Sequence, residues 1–163
     1  MKTLLILRHA KSSWKDTNLA DHDRPLKERG QRDASRMGSL IQDEDLIPDL
    51  ILSSTAKRTR DTAELVAEAC GYDGKIKFQR DLYNAWTSHL IEILRDLKPK
   101  HTCVMIVGHN PGLEELLYVL TDKEEWLPTA ALAQIQLPID RWNKLEDETE
   151  GKLVNLWRPR ELG

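Results

Sequence analysis

Arginine and histidine side chains follow three of the short apolar runs in this chain of 163 residues. Arg8 and His9 come directly after the first run. Arg58 lies shortly after the second run, and His109 follows the fourth. Guanidinium groups bind phosphate oxygens in pairs and stay charged at physiological pH. A neutral imidazole can attack phosphorus and carry the phosphoryl group, and a second one can stabilise charge in the transition state. These residue types therefore indicate phosphoryl chemistry.

Six apolar runs predict the strands of a sheet. They are residues 3–7, 50–52, 76–78, 103–107, 132–137 and 152–157. The first four are short and continuous, as in strands buried on both faces, and the last two alternate. Ligands of parallel sheets bind beyond the carboxyl ends of the strands. We therefore expect the arginines and histidines to meet at that edge.

Between the strands, apolar residues recur at helical spacing and predict four helices. These stripes cover residues 34–41, 63–70, 90–97 and 113–120. Gly71 is suited to ending the second helix, and Pro111 to beginning the fourth. Alternating strands and helices predict an α/β fold, a three-layer αβα sandwich with a mainly parallel sheet, and one domain over residues 1–163.

The composition is slightly acidic, with 24 lysines and arginines, 27 aspartates and glutamates, and a formal net charge of −3. Nucleic-acid binders normally carry a basic excess, so this balance argues against that class. Cys70 and Cys103 are too few for a disulfide framework and lack metal-binding spacing. The apolar N-terminal run is too short for a signal peptide or a membrane span. We expect a soluble cytoplasmic protein that binds neither nucleic acid nor membrane.

The remaining histidines and most tryptophans are expected to have structural roles. His22, His89 and His101 show no spacing typical of a metal site. The tryptophans expected to serve as packing residues are Trp86, Trp126, Trp142 and Trp157. On this interpretation, none of these side chains belongs to the phosphate site.

Five segments, in this order along the chain, resemble one family of enzymes. They are Leu7-Arg8-His9, Asp21-His22-Asp23-Arg24-Pro25-Leu26 with Gly30, residues 53–63, Leu82-Tyr83-Asn84-Ala85, and Val107-Gly108-His109-Asn110-Pro111. Together they are similar to the histidine phosphatase superfamily, and in particular to its small SixA-type protein phosphohistidine phosphatases. The resemblance extends from Met1 to about Trp157 and implies a phosphoglycerate mutase-like fold.

The resemblance assigns roles to four residues. It implies that His9 is the nucleophile, becoming phosphohistidine before water hydrolyses it. Arg8, Arg58 and His109 then complete the phosphate pocket, and neither a metal nor an organic cofactor is implied. Ser54, which departs from the family's usual residue, is expected to flank the pocket rather than form it.

Four further residues are candidates for contact with substrate. They are Lys11, Ser12, Asp21 and Arg24. Lys11 and Ser12 are expected on the rim, next to Trp14, although an ordinary polar loop is the alternative. Arg24 either approaches the pocket or has a structural role beside Asp23, which is placed to cap the first helix.

The substrate is inferred from a missing acid. Phosphomonoester members of the superfamily use a carboxylic acid to protonate the leaving alkoxide. The segment from Arg80 to Trp86, which includes Asp81, has no acid where the family would place one. Phosphohistidine has a weaker P–N bond, and its leaving imidazole is readily protonated by solvent, so it needs less help from an acid. The missing acid therefore favours a phosphorylated partner protein as the substrate. Two alternatives stay open: a phosphomonoesterase on a small metabolite, with Asp21 or Asp23 as the acid, and a non-catalytic phosphate-binding module.

Overall fold

The structure, a computed structural model, describes residues 1–162 and shows one six-stranded sheet with four α-helices in that range. The strands are β1 (Lys2–Arg8), β2 (Leu50–Ser54), β3 (Ile76–Gln79), β4 (Cys103–Gly108), β5 (Leu132–Leu137) and β6 (Lys152–Trp157). The helices are α1 (Glu28–Asp43), α2 (Lys57–Cys70), α3 (Thr87–Arg95) and α4 (Gly112–Thr121). None of these helices is long and apolar enough to cross a membrane.

The strand order across the sheet is β3-β2-β4-β1-β5-β6. The first four strands in this order run parallel, whereas β5 and β6 pair antiparallel. The predicted sandwich with a mainly parallel sheet is confirmed, and all six predicted strands are present. Because β1 pairs with β4 on one side and β5 on the other, the strand that leads into His9 is hydrogen-bonded along both edges.

Apolar side chains pack on both faces of the sheet and form two cores. Leu4 and Ile6 of β1 share one core with α3 and α4. Leu5 and Leu7 face the other core, which they share with α1 and α2. All four side chains are fully buried. A strand covered on both faces needs an apolar residue at every position, which explains the continuous run in the sequence.

Two glycines allow loops near the sheet edge to approach helices closely. A Cβ at Gly30 in α1 would lie 2.2 Å from the Lys11 carbonyl oxygen. A Cβ at Gly112, the first residue of α4, would lie 2.3 Å from the Ala85 carbonyl oxygen. Only glycine fits such contacts. The amide of Lys27 also donates to the Lys11 carbonyl, at 2.9 Å, and so fixes this loop against the start of α1.

The helix ends agree with the predicted signals. Gly71 has a φ of 80°, in the left-handed region, and ends α2. Pro111 directly precedes α4, at the capping position rather than inside the first turn. Both residues therefore mark a helix end, as expected from the permissive backbone of glycine and the restricted backbone of proline.

The tryptophans divide between core and surface. Trp142 is fully buried, and its indole N–H donates to the His101 carbonyl at 2.8 Å. Trp157 packs against the core formed with α1 and α2. The prediction of packing roles is wrong for Trp86 and Trp126, which are 71% and 62% exposed. Both lie outside the strands and α-helices, where no element covers them.

Candidate active site

A cleft of about 480 Å³ lies beyond the carboxyl ends of β1, β2 and β4. All eight site residues predicted from the sequence line it: Arg8, His9, Lys11, Ser12, Asp21, Arg24, Arg58 and His109. Trp14, Asn84, Asn110 and Thr129 complete the lining. The topology explains this convergence, because parallel strands present their following loops at the same edge.

His9 is held in one orientation by the backbone around it. Its amide donates to the Gly108 carbonyl at 3.1 Å, which joins the ends of β1 and β4. Its Nδ1 lies 2.8 Å from the Ala10 carbonyl oxygen. A carbonyl only accepts, so Nδ1 carries the proton and Nε2 keeps a lone pair. Burial, with the nearby charges of Arg58 and Arg8, lowers the pKa of His9 to about 4, so the ring is neutral at physiological pH.

His109 has the same Nδ1–H tautomer as His9, but its Nε2 rather than its Nδ1 is bonded to the protein. Its Nε2 lies 2.9 Å from the Ser54 hydroxyl and 3.3 Å from that of Thr59. The Ser54 oxygen already accepts from the Ala56 amide, so its own proton is available for Nε2. Nδ1 then carries the ring proton, and this buried atom has no hydrogen-bond partner in the described structure. Burial and the neighbouring His9 lower the pKa of His109 to about 3.

Arg8 and Arg58 bring permanent positive charge to the cleft. Arg58 is buried in the first turn of α2, where the helix N-terminus also favours an anion. Arg8 donates from Nη1 to the Leu127 carbonyl at 3.1 Å. The Nε atoms of both arginines are buried and make no hydrogen bond within the described residues. Since an unpaired buried donor is costly, these groups are suited to an anionic acceptor.

Asp21 is bound by three neighbours. Its Oδ2 accepts from Nη2 of Arg58 at 3.0 Å and from the hydroxyl of Tyr83, and its Oδ1 accepts from Nε of Arg24 at 3.2 Å. Partial burial raises the pKa of Asp21, but the hydrogen bond from Tyr83 and the charge of Arg58 outweigh it and lower the pKa to about 2. The carboxylate is therefore ionised at neutral pH.

Arg24 lines the cleft and also has a structural role, because its side chain holds neighbouring residues. Its side chain is buried, and Nη1 donates to the hydroxyl of Ser12 at 2.8 Å. The guanidinium carbon lies 3.4 Å from the centroid of a Trp14 ring, a cation–π contact. Asp23 does not cap the first helix, since α1 begins at Glu28. Arg24 therefore approaches the pocket and links its rim residues to one another.

Sequence reasoning missed several residues of the cleft. Ser54 contacts His109 but does not line the cleft, which agrees with the expectation that it flanks the pocket. Asn84, with a φ of 54°, and Asn110 stand inside two of the segments that carry the resemblance, and these segments were the available signal. Thr129 also lines the cleft, and nothing in its local sequence marks it.

Metal-ligating side chains are not grouped in the part of the chain that the structure describes. No cluster of three or more His, Cys, Asp or Glu side chains with metal-binding geometry occurs within residues 1–162. The cleft instead combines two neutral imidazoles with buried guanidinium groups. This arrangement can bind a phosphoryl group and offers one unprotonated nitrogen for attack on it.

Fold and site together define a histidine-dependent phosphatase, and residues 4–85 match the family described as the histidine phosphatase superfamily (branch 1). The chain belongs to this superfamily. Its sequence is 34% identical over 152 residues to an uncharacterized chloroplastic protein of Arabidopsis thaliana, covering 88% of this chain and 70% of that protein.

Solved structures indicate which type of histidine phosphatase the chain is. A putative phosphohistidine phosphatase SixA from Agrobacterium tumefaciens superposes with a TM-score of 0.83 at 28% identity, covering 97% of this chain and 98% of that one. A protein histidine phosphatase SixA complexed with tungstate shares the fold, with a TM-score of 0.84 at 18% identity and 99% of each chain covered. The chain is a SixA-type member with a phosphoglycerate mutase-like fold.

Proposed function

We propose that the protein hydrolyses phosphohistidine on a partner protein through a covalent intermediate on His9. Nε2 of His9 attacks the phosphorus, and the bond from phosphorus to the substrate imidazole nitrogen breaks. The substrate imidazole leaves and takes a proton from solvent. Water then attacks the phosphorylated His9, releasing inorganic phosphate and restoring the free ring. The Nδ1–H bond to Ala10 supports this role, because it leaves the lone pair on Nε2 of a histidine that lines the cleft.

Three side chains are proposed to hold the transferred phosphoryl group. The buried Nε–H groups of Arg8 and Arg58 and the Nδ1–H of His109 are donors without protein partners in the described residues. Donors fixed in this way stabilise charge on phosphoryl oxygens without reorganising during the reaction. Since permanent charge comes from the two arginines, we infer that the reaction needs no metal ion.

The choice of substrate rests on the ionisation state of the Asp21 carboxyl group. Among residues 1–162, it is the single carboxylate in the lining of the cleft. Because its pKa is lowered to about 2, it has no proton to give to a leaving alkoxide at neutral pH. A protonatable imidazole leaving group does not depend on such an acid. The cleft is therefore better suited to a phosphoramidate than to a phosphomonoester.

A substrate comparison tests this proposal. The purified protein is offered a phosphohistidine peptide, a panel of sugar phosphates and an activated aryl phosphate, with and without a chelator. We expect the highest kcat/KM for the phosphohistidine peptide, unchanged by chelation. Higher kcat/KM for a sugar phosphate favours the phosphomonoesterase, and tight phosphate binding without any turnover favours the binding module.

The covalent step is tested separately. His9→Ala should lose both turnover and acid-labile labelling of the protein, since both require Nε2. His89→Ala, a change on a partly exposed histidine of α3, is the matched control and should retain both. Turnover by the His9→Ala protein would contradict the covalent mechanism.

A further inference from the structure

A second cavity, of about 320 Å³, adjoins the cleft and shares Arg8, Lys11 and Thr129 with it. Its remaining walls come from the start of α1, the loop before β5 and the turn that follows β6. The charged side chains in its lining are five cations and one carboxylate: Arg8, Lys11, Arg29, Arg158, Arg160 and Glu161. We name it the cationic cavity. The turn after β6 lies beyond the part of the chain that carries the family resemblance.

Two of these cations have structural partners. Arg158 donates to the Trp126 carbonyl at 2.9 Å and pairs with Glu125 at 3.3 Å, which ties the loop before β5 to the end of β6. Arg29 pairs with Asp33 within α1, at 3.7 Å. Their positive charges are thus partly neutralised, and Arg158 mainly shapes the wall of the cavity.

Lys11 and Arg160 differ from these two cations. Neither side chain has an ion-pair partner among residues 1–162. Arg160 is exposed on the turn after β6, and Lys11 lies between the cavity and the catalytic cleft. Cations of one sign gathered in a concave site raise the local concentration of anions. Their placement makes the cavity attractive to a negatively charged group.

The cavity also has apolar walls. Trp126, Pro128 and Pro159 line it, and Trp126 is largely exposed. Such walls suit the methylene groups of an acidic side chain, while the cations reach its carboxylate. Because the cavity shares three residues with the cleft, a group bound there can belong to the same molecule as the phosphoryl group.

We propose that the cationic cavity binds an aspartate or glutamate side chain that neighbours the phosphohistidine of the partner protein. The choice of a protein as the source of this carboxylate rests on the proposed function. The cavity thereby makes the phosphatase selective for phosphohistidines in an acidic surrounding. Part of the substrate specificity then comes from a segment outside the phosphate pocket.

Two phosphohistidine peptides that differ only by glutamate or glutamine beside the phosphohistidine test the proposal. The parent protein should have a KM about fivefold lower for the glutamate peptide, and higher ionic strength should reduce this preference. Arg160→Gln should reduce the preference about threefold, the usual weight of one surface charge, and leave the glutamine peptide unaffected. Equal KM values for the two peptides would overturn the proposal.

A matched charge removal is the control. Lys75 is exposed just before β3, at the opposite edge of the sheet from β6. Lys75→Gln changes the net charge by the same amount as Arg160→Gln and should keep the full preference. An equal loss in both variants would mean that net charge, rather than the cavity, causes the effect, and would contradict the proposal.

A binding measurement separates this inference from the proposed function. Calorimetry with the His9→Ala protein and the unphosphorylated glutamate and glutamine peptides needs no catalysis. Tighter binding of the glutamate peptide, weakened by Arg160→Gln, supports the cavity even if the parent protein hydrolyses only small esters, in which case the proposed function alone fails. If Arg160→Gln weakens the binding of small esters that carry a second anionic group, and of no peptide, the assignment of the cavity to a peptide is overturned.

Discussion

The imidazole rings of His9 and His109 lie 5.3 Å apart between centroids, with their planes inclined by 53°. Two cationic rings at this distance would repel each other inside a site that already holds arginine charge. The pKa of each ring is lowered, to about 4 and about 3, and burial is the main cause in both. The pair is therefore neutral at physiological pH. The lone pair on Nε2 of His9 and the Nδ1–H of His109 are left without a hydrogen-bond partner among the described residues.

Stability should fall in acid because of this pair. The unfolded chain protonates both imidazoles near pH 6.5, whereas the folded chain does so only near pH 4 and pH 3. The unfolded state thus binds more protons as pH falls below 6.5, and the free energy of unfolding decreases until the folded pKa values are passed. For His9 this loss is of the order of 3 kcal/mol.

Urea unfolding across this pH range measures the effect. His9→Asn should show a flatter dependence on pH than the parent protein. His89→Asn, on the partly exposed histidine of α3, should keep the parental slope. A parental slope in His9→Asn would contradict the assignment of the loss to the buried ring.

Replacing Asp21 tests whether it acts as a general acid, which a phosphomonoester substrate needs and phosphohistidine does not. If Asp21 takes no part as an acid, Asp21→Asn should retain turnover of phosphohistidine to within a few-fold. A general acid normally contributes roughly 10²- to 10⁴-fold, so a loss of that size on any phosphate ester would assign the role to Asp21 instead. Asp23→Asn is the control, because Asp23 is exposed and does not line the cleft.

Ser54 is expected to position His109. Ser54→Ala removes the hydroxyl that donates to Nε2, so the proton on Nδ1 is no longer fixed. We expect kcat to fall about fivefold with little change in KM, since one hydrogen bond contributes about 1 kcal/mol. Ser53→Ala is a close control, because Ser53 is equally buried but bonds the backbone instead. An equal loss of kcat in both variants would point to general disruption of β2.

Gly30 should tolerate no side chain. Gly30→Ala places a Cβ 2.2 Å from the Lys11 carbonyl oxygen, and a backbone atom cannot rotate away. We expect a loss of about 2 kcal/mol in the free energy of unfolding, together with a higher KM, because the rim loop must shift. In Gly108→Ala the new Cβ meets Leu113 at 3.6 Å, an ordinary contact, so stability should change little. Equal stability of the two variants would contradict this account.

The core of the site was predictable because it depends on local pattern and topology. The continuous apolar run of β1 identifies a strand buried on both faces. Once the strands are parallel, His9, Arg58 and His109 must follow them at one edge. Gly71 and Pro111 were equally predictable, since their effect on the backbone is local.

Contacts between distant segments were not predictable from the residues alone. Asp21 and Arg58 stand 37 positions apart, and only the folded chain shows that they pair. The exposure of Trp86 and Trp126 escaped prediction for a similar reason, because residue type gives no information on which loops remain uncovered. The cationic cavity likewise combines the beginning and the end of the described chain.

The position of β1 in the sheet affects which parts of the protein can unfold locally. With partners on both edges and buried residues on both faces, β1 is expected to open only with the whole fold. Its amide hydrogens should therefore exchange among the slowest, whereas the short turn Asp21–Asp23 has no buried residue and Arg160 and Glu161 after β6 are exposed. Substitutions at the exposed Arg160 and Glu161 can thus change what the cationic cavity binds, while the histidine at the end of β1 keeps its place.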